Sequence, residues 1–166
     1  MKYLKVGAFF AVAFIIQPSL LNLISIGGHT PNLLFCFVVV FSYLFENEIY
    51  GVVFGAIFGL LYDLCFGAVL GPTAIALVAT AIIVLVLREF TNIENILNMW
   101  LVSFVSVISF NLTYWGLLRF AGNPVGIVTA AENMVWTGLY SFAVITLIYS
   151  VLIRKIVRHR KDRYFR

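Results

Sequence analysis

The sequence predicts an all-α, polytopic membrane protein with six transmembrane helices, and three observations lead to this fold class. The first is composition, because 63% of the residues are hydrophobic and 11% are charged, whereas soluble domains are roughly half apolar and a quarter charged. The second is length, because 166 residues hold about five or six spans of ~20 residues each. The third is the clustering of the few charges between apolar segments.

Charged residues, prolines and glycines divide the chain into six apolar segments. The first follows Lys2 and Lys5 and continues past Pro18 without a small-residue cleavage site, which favours a membrane span over a signal peptide. Capping-box patterns at Thr91–Glu94 and Thr129–Glu132 precede the fifth and sixth segments. The second, third and fourth are short for a bilayer, which favours helices that break or sit inside the bundle. The segments are 6–26, 33–45, 49–64, 69–87, 97–118 and 133–153.

The basic residues orient these helices. With six spans, ten of the eleven basic residues lie on one side, and only Arg119 lies on the other. By the positive-inside rule, this predicts a multi-pass protein of the cytoplasmic membrane with both termini cytoplasmic. We expect one six-helix transmembrane domain over 1–153 and a basic cytoplasmic tail over 154–166 that lies against anionic lipid. Nucleic acid is not expected as a partner, because basic tails routinely flank last spans.

A repeat of small residues marks the third segment. Gly51, Gly55 and Gly59 recur at every fourth position, and Asp63 continues the series. Each step of four advances about 40° around a helix, so one straight helix cannot turn all these residues toward one neighbour. The three glycines are predicted to form a small-xxx-small surface, which we call the glycine face, for close packing with another helix or with a partner.

A helix break is predicted after Asp63, where Gly67, Gly71 and Pro72 follow one another closely. The backbone polar groups freed by such a break must be buried in protein or wetted. A charged aspartate in a membrane should face the bundle interior or water and have a partner. Three roles stay open for Asp63: capping the fourth helix or the broken backbone, coupling to protons or ions, and contacting a partner protein. No second acid within a span offers a relay, which disfavours a transporter.

Enzymatic chemistry and metal binding are not indicated. His29 and His159 lie too far apart in depth to form one site, and the chain has no HExxH or GxSxG motif. Cys36 and Cys65 lie in apolar runs without a CxxC motif, which is typical of small buried hydrophobic residues. A polar strip on the fifth segment could line a small-molecule path, although helix packing is favoured. The strip comprises Ser103, Ser106, Ser109, Asn111 and Thr113.

The motif PNLL, which begins at Pro31 and Asn32, is followed by GxxxGxxxGLLYDLxxGxxLG over 51–71. This combination resembles the MreD family of bacterial rod shape-determining membrane proteins. The resemblance extends over essentially the whole chain in length, hydropathy, cytosolic termini and basic tail. Its specific motifs lie between Pro31 and Gly71.

The resemblance implies a non-enzymatic scaffold, without a cofactor, in the cell-elongation complex of the bacterial cytoplasmic membrane. Such a protein would organise peptidoglycan synthesis and cell shape by binding MreC, a bitopic protein, and we predict the glycine face as the surface of that contact. Other implied partners are MreB, the RodA glycosyltransferase and a penicillin-binding transpeptidase. The family fold is similar to the six-helix substrate-binding components of energy-coupling-factor vitamin importers, so a solute-binding importer subunit is the alternative. Its pocket candidates are Tyr62, Asp63, Asn111 and Tyr114.

Overall fold

The computed structural model describes residues 2–19, 31–45, 49–122 and 126–164, and their regular secondary structure is entirely helical. The prediction of an all-helical fold with six helices is confirmed. Three stretches are long and apolar enough to cross a membrane, namely Pro72–Phe90, Ile96–Phe120 and Met134–Ile153. Shorter apolar helices cover Val6–Pro18, Leu33–Leu44 and Tyr50–Phe66. The six helices are α1 (Lys2–Ser19), α2 (Leu33–Leu44), α3 (Ile49–Phe66), α4 (Pro72–Phe90), α5 (Ile96–Phe120) and α6 (Ile127–Tyr164).

The boundaries of α4 and α6 differ from the predicted segments. The fourth segment was expected to be short for a bilayer, and this is wrong, because α4, shifted to Pro72–Phe90, is long and apolar enough to cross a membrane. α6 is longer at both ends than 133–153, and its helix includes 154–164, which belong to the predicted basic tail. Positions 20–26 of the first predicted span, and His29, lie outside the described residues.

α2 lies at the centre of the bundle. Ten of its 12 residues are buried, and it packs against α1, α3, α4 and α6. The Phe35 ring also contacts the Phe110 ring of α5, with 5.1 Å between the ring centroids. A helix of this length rises only about 18 Å, which is less than a bilayer core. Because neighbouring helices enclose it, α2 does not need to match the lipid thickness.

The PNLL motif forms the beginning of α2. The Asn32 side chain is the N-cap and accepts a hydrogen bond from the backbone N–H of Phe35 at 3.1 Å. Gln17 of α1 accepts a second bond through Oε1, from the N–H of Leu34 at 3.2 Å. The first N–H groups of a helix lack intrahelical partners, and in a membrane they are costly to leave unpaired. The motif residue Asn32 therefore has a structural task at a helix end that lies inside the bundle.

Candidate functional site

Asp63 lies in the last turn of α3 and is the buried acid of the site, at 2% exposure. Its Oδ2 atom accepts three backbone hydrogen bonds, from the N–H groups of Gly71 at 3.0 Å, Thr73 at 3.0 Å and Ala74 at 3.2 Å. These donors belong to the first turn of α4, where the helix dipole also favours negative charge. The contacts are those that the capping alternative requires, and they stabilise the carboxylate without a cation.

The predicted helix break lies between the end of α3 at Phe66 and the start of α4 at Pro72. The N–H of Gly67 donates to the carbonyl of Asp63 at 2.9 Å. Gly71 is the N-cap of α4 and has a φ of +105°, a left-handed conformation that favours glycine, while Pro72 begins the helix. Asp63 therefore accepts hydrogen bonds from both sides of the break. Its backbone carbonyl accepts from Gly67 after α3, and its carboxylate accepts from the first turn of α4.

The glycine face packs inside the chain. Gly51, Gly55 and Gly59 are all buried. A Cβ atom on Gly59 would lie 2.7 Å from Cα of Ala74 in α4, and one on Gly55 would lie 3.1 Å from a methyl group of Val38 in α2. A Cβ atom on Gly51 would meet the Ser42 side chain of α2. A partner helix cannot reach these glycines while α2 and α4 cover them.

The Ser42 hydroxyl, which faces Gly51, differs from the other helical hydroxyl groups. It is fully buried, and its Oγ atom has no hydrogen-bond partner. By contrast, Thr80, Ser103 and Ser106 each donate at 2.7 Å to the carbonyl one turn earlier. The Ser42 hydroxyl therefore lies at the close contact between α2 and α3 without the intrahelical bond that the three other hydroxyls make.

Three of the four importer pocket candidates, Tyr62, Asp63 and Tyr114, lie close enough to interact, but Asp63 already accepts three backbone hydrogen bonds. Asn111 donates through Nδ2 to the carbonyl of Val107 on its own helix at 2.8 Å. Tyr114 stacks on Phe110 with 5.9 Å between ring centroids, and its side chain interacts with Thr73 beside the Asp63 cap. The polar strip on α5 is likewise engaged with its own backbone at its buried serines. Of these groups, only Tyr114 links α5 to α4, through Thr73.

The two cysteines differ in their exposure. Cys36 is buried and its Sγ donates to the carbonyl of Ser141 at 3.6 Å. Cys65 is exposed, so the expectation that it is buried is wrong, because it lies on the outward side of the last turn of α3. Within the part of the chain that the structure describes, no group of three or more His, Cys, Asp or Glu side chains could hold a metal ion.

Two tyrosines that were not predicted as site residues hold the loop between α4 and α5. The Tyr43 hydroxyl donates to the carbonyl of Asn92 at 3.2 Å, and the Tyr149 hydroxyl donates to that of Ile93 at 2.7 Å. Arg88 donates through Nη1 to the carbonyl of Phe45 at 2.8 Å. The available signal was the position of both tyrosines near the ends of apolar segments. The two tyrosines therefore tie α2 and α6 to this loop, and Arg88 ties α4 to the end of α2.

Removing the Tyr149 hydroxyl is expected to loosen this loop without unfolding the bundle. In Tyr149→Phe, the ring keeps its packing but the carbonyl of Ile93 loses a donor, which costs about 1 kcal/mol. Amide hydrogen exchange over 91–95 should therefore accelerate by about fivefold. Tyr140→Phe, also on α6, serves as the control and should leave the loop unchanged. Equal exchange rates in the two variants would show that the hydroxyl bond does not hold the loop.

Comparison with known proteins finds a matching family model. The family model described as MreD, rod shape-determining protein MreD, matches residues 2–159. No curated protein and no solved structure matches the chain.

Proposed function

This chain belongs to the MreD family of rod shape-determining proteins, and from that premise we propose that it is a membrane scaffold of the cell-elongation complex. Family membership supports a role in rod shape determination, and the match over residues 2–159 is the observation that carries the proposal. The proposed partners are MreC in the membrane and, with it, MreB, RodA and a penicillin-binding transpeptidase. The protein would organise peptidoglycan synthesis by recognition and not by catalysis.

The use of polar groups supports a scaffold. Asp63 is engaged by three backbone N–H groups, and Asn111 bonds its own helix. A solute-binding component needs several convergent polar groups that remain available to a ligand. Here the described candidates for such a set stabilise helix ends and helix contacts, so packing between helices is the proposed mode of recognition.

The proposed topology is six spans with both termini in the cytoplasm. It is supported by the distribution of basic residues, of which ten of eleven would be cytoplasmic. In this orientation the Asp63 cap lies toward the outer face, and the loop held by Tyr43 and Tyr149 lies toward the cytoplasm. The basic end of α6 would meet anionic headgroups.

The scaffold proposal is tested by depletion and co-purification in the native cells. We expect depleted cells to lose their rod shape and become round, and the tagged full-length protein to co-purify with MreC from detergent-solubilised membranes. A tagged six-helix membrane protein of unrelated function is the control for non-specific capture. Rod-shaped depleted cells without recovery of MreC would contradict the proposal. Recovery of an energy-coupling ATPase module with a bound vitamin would favour the importer instead.

A further inference from the structure

α6 is longer than the membrane that it crosses. Its 38 residues rise about 57 Å as one α-helix, whereas a bilayer measures about 40–45 Å with its headgroups. The apolar stretch of α6 ends at Ile153, and the helix continues to Tyr164. Residues 154–164, which we term the α6 extension, add about 16 Å to the helix beyond its apolar stretch.

The α6 extension continues in the direction of the transmembrane helix. Leu152 and Ile153 pack against the core, and the Tyr149 hydroxyl bonds the loop between α4 and α5 at 2.7 Å, so the bundle holds α6 up to the start of the extension. Sharp helix kinks occur at Pro, at Gly and Ser pairs, or where the hydrogen-bond ladder is interrupted. No Pro or Gly follows Gly138 in the sequence, and α6 is one helix to Tyr164. The α6 extension therefore points away from the membrane and does not lie along its surface.

The α6 extension is basic on every side. At about 100° per residue, its six basic residues fall at register positions around the whole helix, with no gap wider than about 100°. The positions of the apolar residues Ile156 and Val157 are separated by that of Arg160. A helix that lies in the membrane surface needs a continuous apolar face, and this register provides none. The six basic residues are Arg154, Lys155, Arg158, Arg160, Lys161 and Arg163.

The distance from the membrane divides these bases into two sets. Headgroups occupy about 5–8 Å on each side of the hydrocarbon core. The three bases from Arg154 to Arg158, which we term the proximal set, lie within about 8 Å of Ile153 along the helix axis. They are at the level of the headgroups, where lipid phosphate neutralises basic residues. The other three lie about 10–15 Å from Ile153, in the aqueous phase. This distal set consists of Arg160, Lys161 and Arg163.

We propose that the distal set binds an acidic segment of a cytoplasmic protein. Its three bases lie beyond the lipid phosphates that meet the proximal set, so their charge remains available in the aqueous phase. The helix is already formed, so a partner does not lose affinity to the ordering of this segment. Three bases suit a few carboxylates, whereas a nucleic-acid interface commonly neutralises about 6–10 phosphates. The inference rests on the cytoplasmic orientation in the proposed function and adds a docking surface of defined charge on that side.

Peptide titration in lipid nanodiscs tests the occupant. The full chain is placed in nanodiscs of phosphatidylcholine, and a fluorescent peptide of about ten glutamates is titrated at about 0.15 M salt, where the Debye length of about 8 Å limits the reach of each charge. The distal variant carries Arg160→Gln, Lys161→Gln and Arg163→Gln together. It should bind the peptide about tenfold more weakly than the wild-type protein, because three charge pairs are lost.

The proximal set provides the matched control. Arg154→Gln, Lys155→Gln and Arg158→Gln together remove the same charge nearer the membrane, and peptide binding should weaken by less than about threefold. Thermal unfolding in detergent shows that both triple variants are folded. Equal losses of peptide binding in the two variants would overturn the assignment to the distal set. Tighter binding of a short RNA duplex than of the peptide would assign the distal set to nucleic acid instead.

A helix-breaking variant distinguishes a protein partner from anionic lipid. Val157→Pro interrupts the α6 extension and keeps every base, so the freed end can turn onto a membrane surface, whereas Val157→Ala keeps the helix. In phosphatidylcholine the two variants should bind the peptide alike. In nanodiscs that also contain phosphatidylglycerol, Val157→Ala should bind it about fivefold more tightly, because only the broken helix is captured by the anionic lipid.

Equal binding by these two variants in the anionic nanodiscs would show that the helix does not hold the distal set away from lipid, and the proposal would be wrong. The measurement requires neither MreC nor a known orientation, since nanodiscs present both faces of the membrane. Its failure would therefore leave the scaffold function standing. Failure of the full-length protein to recover MreC from cells would contradict the scaffold function and leave peptide binding unaffected.

Discussion

Gly59→Ala is expected to destabilise the bundle more than alanine at either of the other two residues of the glycine face. The new Cβ atom would lie 2.7 Å from Cα and 3.0 Å from N of Ala74, so it meets backbone that no rotamer change can move. α3 and α4 would have to separate. Overpacking costs roughly 1–3 kcal/mol and occasionally more, and we expect at least the upper end of this range. Unfolding in detergent with rising SDS measures it.

The other glycines provide a graded series. Gly55→Ala meets a Val38 methyl group at 3.1 Å, so a small shift of that side chain relieves it and the cost should be lower. Gly51→Ala meets the Ser42 side chain, and a second substitution, Ser42→Gly, should restore much of the lost stability. Gly116 of α5 is the matched control, because nothing lies within 4 Å of its Cβ position. Gly116→Ala should be neutral or stabilise the helix by about 1 kcal/mol.

The series also separates folding from partner binding. If Gly59→Ala were as stable as Gly116→Ala, α3 and α4 would not approach each other as described. If it were stable and lost only MreC, the glycine face would be a partner surface after all. The described packing predicts instead that Gly59→Ala is less stable than Gly116→Ala. Recovery of MreC with Gly59→Ala should then fall only as far as its folded fraction falls.

The sequence identified the glycine face but could not decide what covers it. A small-xxx-small pattern has the same spacing whether the second helix comes from the same chain or from a partner. The difference depends on where α2 and α4 lie, which is tertiary information. The short apolar run of α2 did indicate its central position, because a helix enclosed by others need not span the lipid. That α1, α3, α4 and α6 pack against it, and that Leu33 and Phe37 are its two residues that are not buried, follows only from the tertiary structure.

The position of the helix break after Asp63 could be predicted from the sequence, but the role of the Asp63 carboxylate could not. Two glycines and a proline mark the interruption because left-handed and helix-starting positions favour these residue types. Whether the acid caps, titrates or binds a partner depends on where the N–H groups of the next helix point. In the structure, three of them point at one oxygen atom. Tyr43 and Tyr149 were missed because their acceptors are backbone carbonyls, and a tyrosine's position near the end of an apolar segment does not reveal such a partner.

Asp63→Ala is expected to destabilise the protein severely, and Asp63→Asn only partly. Alanine leaves the N–H groups of Gly71, Thr73 and Ala74 without their acceptor, at roughly 1–3 kcal/mol for each buried group. The total is therefore about 3 kcal/mol or more. The Asn carbonyl oxygen can accept the same bonds, and the loss is that of a charge-assisted bond and of the favourable interaction with the helix dipole, about 1–2 kcal/mol. Thermal unfolding in detergent measures both.

Cell shape distinguishes capping from ion coupling at Asp63. If the carboxylate caps α4, cells that express Asp63→Asn should stay rod-shaped and retain MreC, whereas Asp63→Ala should fail in proportion to its lost folded fraction. Glu89→Gln, which neutralises an exposed acid at the end of α4, is the matched control and should be silent. A well-folded Asp63→Asn protein that gives round cells would contradict the capping role, because its hydrogen bonds are retained and only the charge is missing. The function would then require the charge or proton of Asp63.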